Sequence, residues 1–91
     1  MVLVLIDNKI NNMSEYLPLA RAFCEAGSKD RGCIEMNVYT DPEQPSRAVF
    51  VTKWETKEDF LAQTESPAFK EYIPKMEPYL EGGKNTILEL A

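Results

Sequence analysis

The stretch GCIEMNVYTDPEQPSRAVFVTKWE, Gly32 to Glu55, decides the fold. In its first third Ile34, Met36 and Val38 project to one side and Cys33, Glu35, Asn37 and Tyr39 to the other, the period of a strand. The turn-rich run Asp41-Pro42-Glu43-Gln44-Pro45-Ser46 follows, and from Arg47 to Glu55 the residues Ala48, Phe50 and Trp54 oppose Val49 and Val51. Two strands joined by a longish loop make an antiparallel hairpin.

Upstream of the hairpin, Val2 to Ile10 is aliphatic and β-branched enough to be a further strand. Ser14 is a suitable N-cap with Glu15 behind it, and apolar positions 16, 19, 20, 23 and 27, widened by Leu17 and Cys24, define an amphipathic helix that stops at Gly27-Ser28. Downstream, Thr56 caps a helix with Asp59 at its third position, and Ser66-Pro67 restarts it. Phe69, Tyr72, Ile73, Met76 and Leu80 then recur at helical spacing, with Pro74 expected to kink the helix and Pro78 to end it. Gly82-Gly83 is expected to turn the chain into a last strand from Asn85 to Ala91. The order is β-α-β-β-α-β, a ferredoxin-like α+β fold over residues 1–91: a four-stranded antiparallel sheet with helices on one face, its first and third strands expected as central parallel neighbours.

Both faces of that sheet are apolar. Val2, Val4 and Ile6 share a side with Asn8, while Leu3 and Leu5 lie on the other, and Val49 and Val51 oppose Ala48, Phe50 and Trp54. A sheet covered by helices on one side only should alternate apolar with polar, so the second face calls for a cover. A second copy of the chain is the expected one, giving a homodimer through the sheet.

Composition narrows the chemistry. Ten basic against fifteen acidic residues leave a net charge of −5, with the basic residues dispersed among acids, which disfavours nucleic acid and anionic membrane as partners. The chain contains no histidine, so it lacks a neutral-pH proton shuttle, a Ser-His or Cys-His nucleophile and an imidazole metal ligand. Its two cysteines, Cys24 on the helical stripe and Cys33 in a strand, fit small buried apolar residues better than a redox pair. The opening apolar run is five residues long with no basic segment before it, which points to the cytoplasm, where thiols stay reduced.

Several of these residues together resemble the antibiotic biosynthesis monooxygenase family. They are Gly32-Cys33 opening the second strand, Asp41-Pro42 through Pro45-Ser46-Arg47, Trp54-Glu55 closing the third strand and Ser66-Pro67-Ala68-Phe69 starting the last helix. The resemblance implies a dimeric ferredoxin-like α+β barrel and an enzyme akin to the quinol monooxygenases, which use neither metal nor flavin. In that chemistry a deprotonated quinol, phenol or anthrone itself reduces O2, and the protein binds, orients and stabilises the anion. The resemblance also implies two catalytic positions: Asn8, matching a strand-one asparagine, and Trp54, matching the strand-three tryptophan. Both stand near the C-terminal ends of strands expected to run parallel, so amide and indole should converge on one cleft. Phe23, Phe50, Phe69, Tyr72, Ile73 and Met76 should wall it and bind the substrate, and no cofactor or metal is expected.

The bland alternative is packing: a strand tryptophan and a helical stripe of Phe, Tyr, Ile and Met are usual core features. Asn8 carries more, because a buried amide needs a partner or a ligand. Haem-degrading relatives hold iron through a histidine on the last helix, where this chain has Phe69 to Met76 and no such ligand. Other relatives carry a histidine where Pro67 and Ala68 stand, and Tyr72 is the nearest substitute proton donor. Two further activities stay open: an isomerase of a small phosphorylated metabolite, for which Lys9 is the one basic residue near Asn8, and a non-catalytic dimeric small-molecule binder.

Overall fold

The computed structural model describes residues 1–91. Its elements are β1 (Val2–Ile10), α1 (Met13–Gly27), β2 (Cys33–Asp41), β3 (Gln44–Trp54), α2 (Lys57–Ala62), α3 (Pro67–Met76) and β4 (Leu80–Glu89), with short 3-10 turns at Gln63–Glu65 and Glu77–Tyr79. The strands form one sheet in the order β2-β3-β1-β4, and this is the ferredoxin-like arrangement.

Every neighbouring pair is antiparallel, which corrects the expectation that β1 and β3 run parallel. The crossover through α1 does deliver β2 parallel to β1, but one place removed. The hairpin then reverses the chain, and β3 fills the gap between them. The register sets Val2 against Trp54 and Asn8 against Ala48.

Local chemistry explains most boundaries. Thr56 and Ser66 cap α2 and α3 as their spacing indicates, accepting the backbone N–H groups of Asp59 and Phe69 at 3.1 Å each. Helix α1 begins differently. Asn12, in the left-handed region at φ 53°, occupies the cap position, its backbone carbonyl accepts from Glu15 and Tyr16, and Ser14 donates its hydroxyl to Asn12 Oδ1. Short polar side chains tolerate that conformation best. The hairpin is tighter than expected: Asp41 pairs with Gln44 across Pro42-Glu43, and Asp41 Oδ1 accepts the Glu43 N–H at 2.9 Å, an Asx turn that extends β3 back to Gln44. At the other end of β2 a bulge between Cys33 and Glu35 sends Ile34 out to 51% exposure and turns Cys33 toward Trp54. Helix α3 runs only two residues past Pro74, and β4 starts five residues early, with Gly82 and Gly83 paired to Lys9 and Asn8 instead of forming a turn.

The helices cover one face, and the core lies beneath them. Ile10, Tyr16, Ala20, Phe23, Cys24, Met36, Ala48, Phe50 and Met76 form the main cluster, in which the Phe23 and Phe50 rings meet edge to face at 5.8 Å. A second cluster joins Val2, Val4 and Trp54. Trp54 is completely buried, its indole N–H donates to Thr52 Oγ1 at 3.0 Å, and that hydroxyl donates to the Val4 carbonyl at 3.2 Å. The indole N–H therefore has a partner inside the fold.

The outer face carries Leu88, Leu3, Lys53 and Glu35 in one row, Thr86, Leu5, Val51 and Asn37 in the next, and Lys84, Asp7, Val49 and Tyr39 in a third. No helix lies over it, and Tyr39 and Leu88 are 56% and 48% exposed. Arg47 bridges Asp7 at 2.7 Å and Asp41 at 2.9 Å along its border. Its hydrogen bonds hold the Asp7 carboxyl below the ordinary value, while Asp41 is lowered chiefly by the Glu43 backbone N–H and next by Arg47. No helix is long and apolar enough to cross a membrane.

Trp54→Ala should lower the unfolding free energy by about 3–5 kcal/mol in urea titrations followed by circular dichroism, the range for emptying a large aromatic site. Trp54→Phe should cost clearly less, because it keeps most of the apolar volume.

Candidate functional site

A cavity of about 330 Å³ opens between the sheet and the helices, at the low end of the ~300–1,000 Å³ usual for small-molecule sites. Its floor is Ile6 and Asn8 of β1, Phe50 of β3 and Asn85 of β4. Tyr16 and Phe23 of α1 and Phe69, Ile73 and Met76 of α3 form one side. Phe60 and Leu61 of α2, with Gln63, Thr64 and Leu80, form the other. Leu61, Thr64, Leu80 and Asn85 are exposed and mark the mouth, whereas Tyr16, Phe23, Phe50 and Met76 are buried at the back.

Six of the eight residues singled out in the sequence come together here: Asn8, Phe23, Phe50, Phe69, Ile73 and Met76. Trp54 and Tyr72 do not line the cavity. The antiparallel pairing explains Trp54: it lies opposite Val2, six residues from Asn8 along β1, or about 20 Å at the usual strand rise. The convergence expected for parallel strands is lost. Trp54 instead meets the ring of Phe60 edge-on at 5.9 Å, so it backs a residue of the wall from one layer behind. Tyr72 packs against Phe23 at 6.4 Å with the Lys75 ammonium 5.4 Å over its ring, outside the cavity. The neighbouring Glu71 charge, with partial burial, raises its hydroxyl.

The residue that sequence reasoning missed is Tyr16. It heads the apolar stripe of α1 and looks like core, yet a tyrosine on a core stripe brings a hydroxyl that requires a partner. Its side chain is fully buried and no protein group forms a hydrogen bond of sound geometry with Oη. Burial pushes its pKa up to about 12. The Asn8 side chain lies beside the phenol and works in the opposite direction, but no hydrogen bond of sound geometry joins the two. Asn85, Phe60 and Gln63 were also missed; Gln63 is buried and donates from Nε2 to Asp30 Oδ2 at 3.0 Å.

Asn8 owes its position to a glycine. Gly83 faces it on β4, and a Cβ there would collide with Asn8 Oδ1 and stand 3.3 Å from the Asp7 carbonyl. The bare backbone leaves the amide its space.

The electrostatics are simple: none of the fourteen lining residues carries a charge. Lys9 pairs across from Arg47, and strand alternation sends it to the opposite side of the sheet from Asn8. Both cysteines are free, and burial raises Cys24 to about 12 and shifts Cys33 in the same direction, so neither is a poised thiolate. No group of three or more Cys, Asp or Glu side chains comes together as a metal site.

Residues 1–75 match the model of the antibiotic biosynthesis monooxygenase family. The chain belongs to that family. Solved structures agree on the fold. A crystal structure of an antibiotic biosynthesis monooxygenase superposes with a TM-score of 0.88 at 18% identity, covering 100% of this chain and 99% of the other. A conserved protein from Methanosarcina mazei gives 0.89 at 22% identity, with 99% and 92% covered. A candidate antibiotic biosynthesis monooxygenase from Deinococcus radiodurans gives 0.87 at 17% identity, with 100% and 93% covered. No curated protein matches the sequence significantly. In this antibiotic biosynthesis monooxygenase family member, Asn8, Tyr16 and the aromatic residues of both walls line one cavity.

Gly83→Ala should displace the Asn8 side chain while leaving the sheet intact, since Gly83 lies on an exposed edge strand. The expected result is a shifted Asn8 side-chain amide pair in 15N NMR spectra, with the melting temperature lowered by only a few degrees.

Proposed function

We propose that this family member is a cofactor-independent monooxygenase that oxidises a small aromatic quinol- or anthrone-like compound with O2. The observation that carries the proposal is the uncharged, aromatic-walled cavity with an amide at its floor, in a chain of the monooxygenase family. Such a cavity suits a flat, electron-rich ring. Desolvated on three sides, the ring is held in one orientation while Asn8 donates an N–H toward the oxygen that becomes anionic. The substrate anion passes electrons to O2, one oxygen atom enters the ring and the other leaves as water. In an anthrone the ring methylene becomes a carbonyl, CH2 + O2 giving C=O + H2O; in a quinol a ring C–H becomes C–OH as the diol is oxidised to the quinone, quinol + O2 giving hydroxyquinone + H2O, and in both the substrate supplies every electron. A phosphorylated substrate, as an isomerase would require, is disfavoured by the lack of any cation in the wall.

Oxygen uptake on adding a panel of reduced naphtho- and benzoquinones tests the proposal. Turnover with one atom of 18O2 appearing in the product is expected, and Asn8→Ala should lower kcat/KM on the order of a hundred-fold, as for loss of an oxyanion donor. Absence of uptake by the wild-type protein across the panel overturns it.

The working unit in this proposal is a homodimer closed through the outer face of the sheet. Support comes from Leu3, Leu5, Val49, Val51 and Leu88, apolar side chains interleaved with polar ones on a face that no helix covers, of the kind that association buries. Light scattering should return twice the chain mass of 10.4 kDa. Val51→Asp, a buried charge in the dimer and a tolerated one in a monomer, should return the single-chain mass with an unchanged circular dichroism spectrum.

A further inference from the structure

We infer that Tyr16 is the hydrogen-bond donor that grips the oxygen of the bound ligand, and that the site takes that ligand in its uncharged form. The inference rests on the cavity being the ligand site of the proposed enzyme, and it deepens that reading by naming a contact residue and the charge state of the ligand.

Two observations carry it. The phenol Oη is a buried side-chain polar atom without a partner, and its residue lines the cavity with 0% exposure. Buried hydroxyls in folded proteins are normally paired, so a hydroxyl with no protein partner, on a residue that lines the cavity beside Asn8, is available as a donor to a ligand oxygen. If Tyr16 were only core packing, phenylalanine would fill the same volume without the unpaired hydroxyl and would be the more stable choice. Second, the polar groups around it are neutral. Asn8 lies beside the phenol and offers two donors and an acceptor, while the remaining floor and walls are largely apolar. A carboxylate or phosphate in this space would lose its hydration with no cation to replace it. A hydroxyl or carbonyl oxygen, by contrast, can accept from Tyr16 and exchange a second hydrogen bond with the Asn8 amide. Because burial holds the phenol's pKa at about 12, the group remains a protonated donor throughout the neutral range.

The test compares three probes of one shape: naphthalene, 2-naphthol and 2-naphthoate, titrated into the full chain by calorimetry. Wild-type protein should bind 2-naphthol more tightly than naphthalene and more tightly than 2-naphthoate. Tyr16→Phe should weaken 2-naphthol about five-fold, the worth of one neutral hydrogen bond, and leave naphthalene unchanged. Its unliganded melting temperature should equal or exceed that of the wild type, which a merely structural hydroxyl would not allow. In wild-type protein labelled at tyrosine 13Cζ, the Tyr16 resonance should move with 2-naphthol and not with naphthalene. Retention of the full 2-naphthol preference in Tyr16→Phe, a preference for 2-naphthoate, no binding of any probe, or a Tyr16 resonance indifferent to 2-naphthol each overturns the inference. Oxygen uptake is not among the readouts, so failure of the quinol panel and failure of Tyr16 as a ligand contact are separate results.

Discussion

The ladder between β1 and β3, with Val2 set against Trp54 and Asn8 against Ala48, is the constraint on which the rest of the molecule depends. A slip of one residue would carry every side chain of β1 to the opposite face. In the observed register Val4, Phe50 and Trp54 enter the space under the helices, while Leu3, Leu5 and Val51 go to the open side. The same register separates the two ends of that space. At the Trp54 end it is filled with packed side chains; at the Asn8 end it stays open and becomes the cavity.

Sequence patterns reported this fold where the physics is local. The cap residues Thr56 and Ser66, the stripe from Tyr16 to Gly27 and the two-sided apolarity of β1 and β3 are all settled within a few residues of each other, and the structure reproduces them. Long-range pairing left no such trace. Strand direction in the centre of the sheet follows from the hairpin closing into the gap left by the α1 crossover, and no single segment encodes that. Gly82-Gly83 has the composition of a turn, yet an edge strand tolerates it because its partner strand supplies the hydrogen bonds.

The candidate site divides along the same line. Its apolar walls were legible because helical spacing identifies a buried face, whether that face meets packing or a cavity. Trp54 was misplaced by strand direction, and Tyr16 was hidden by the stripe to which it belongs. What separates a tyrosine in the core from a tyrosine at a site is the fate of one hydroxyl, and that depends on atoms far away in sequence. Among the fold's own groups that hydroxyl finds no hydrogen-bond partner.

The outer wall of the cavity, Lys57–Glu65, is a unit of its own. Thr56 starts it, Ser66 begins the next helix, and the Phe60 ring against Trp54 is its aromatic contact with the sheet. Leu61 and Thr64 stand on its exposed side at the rim. The main core is built from the sheet, α1 and Met76 of α3, whereas two of the four exposed residues at the mouth, Leu61 and Thr64, belong to this short segment. Substitutions at those exposed rim positions would reshape the mouth while leaving the buried cluster untouched.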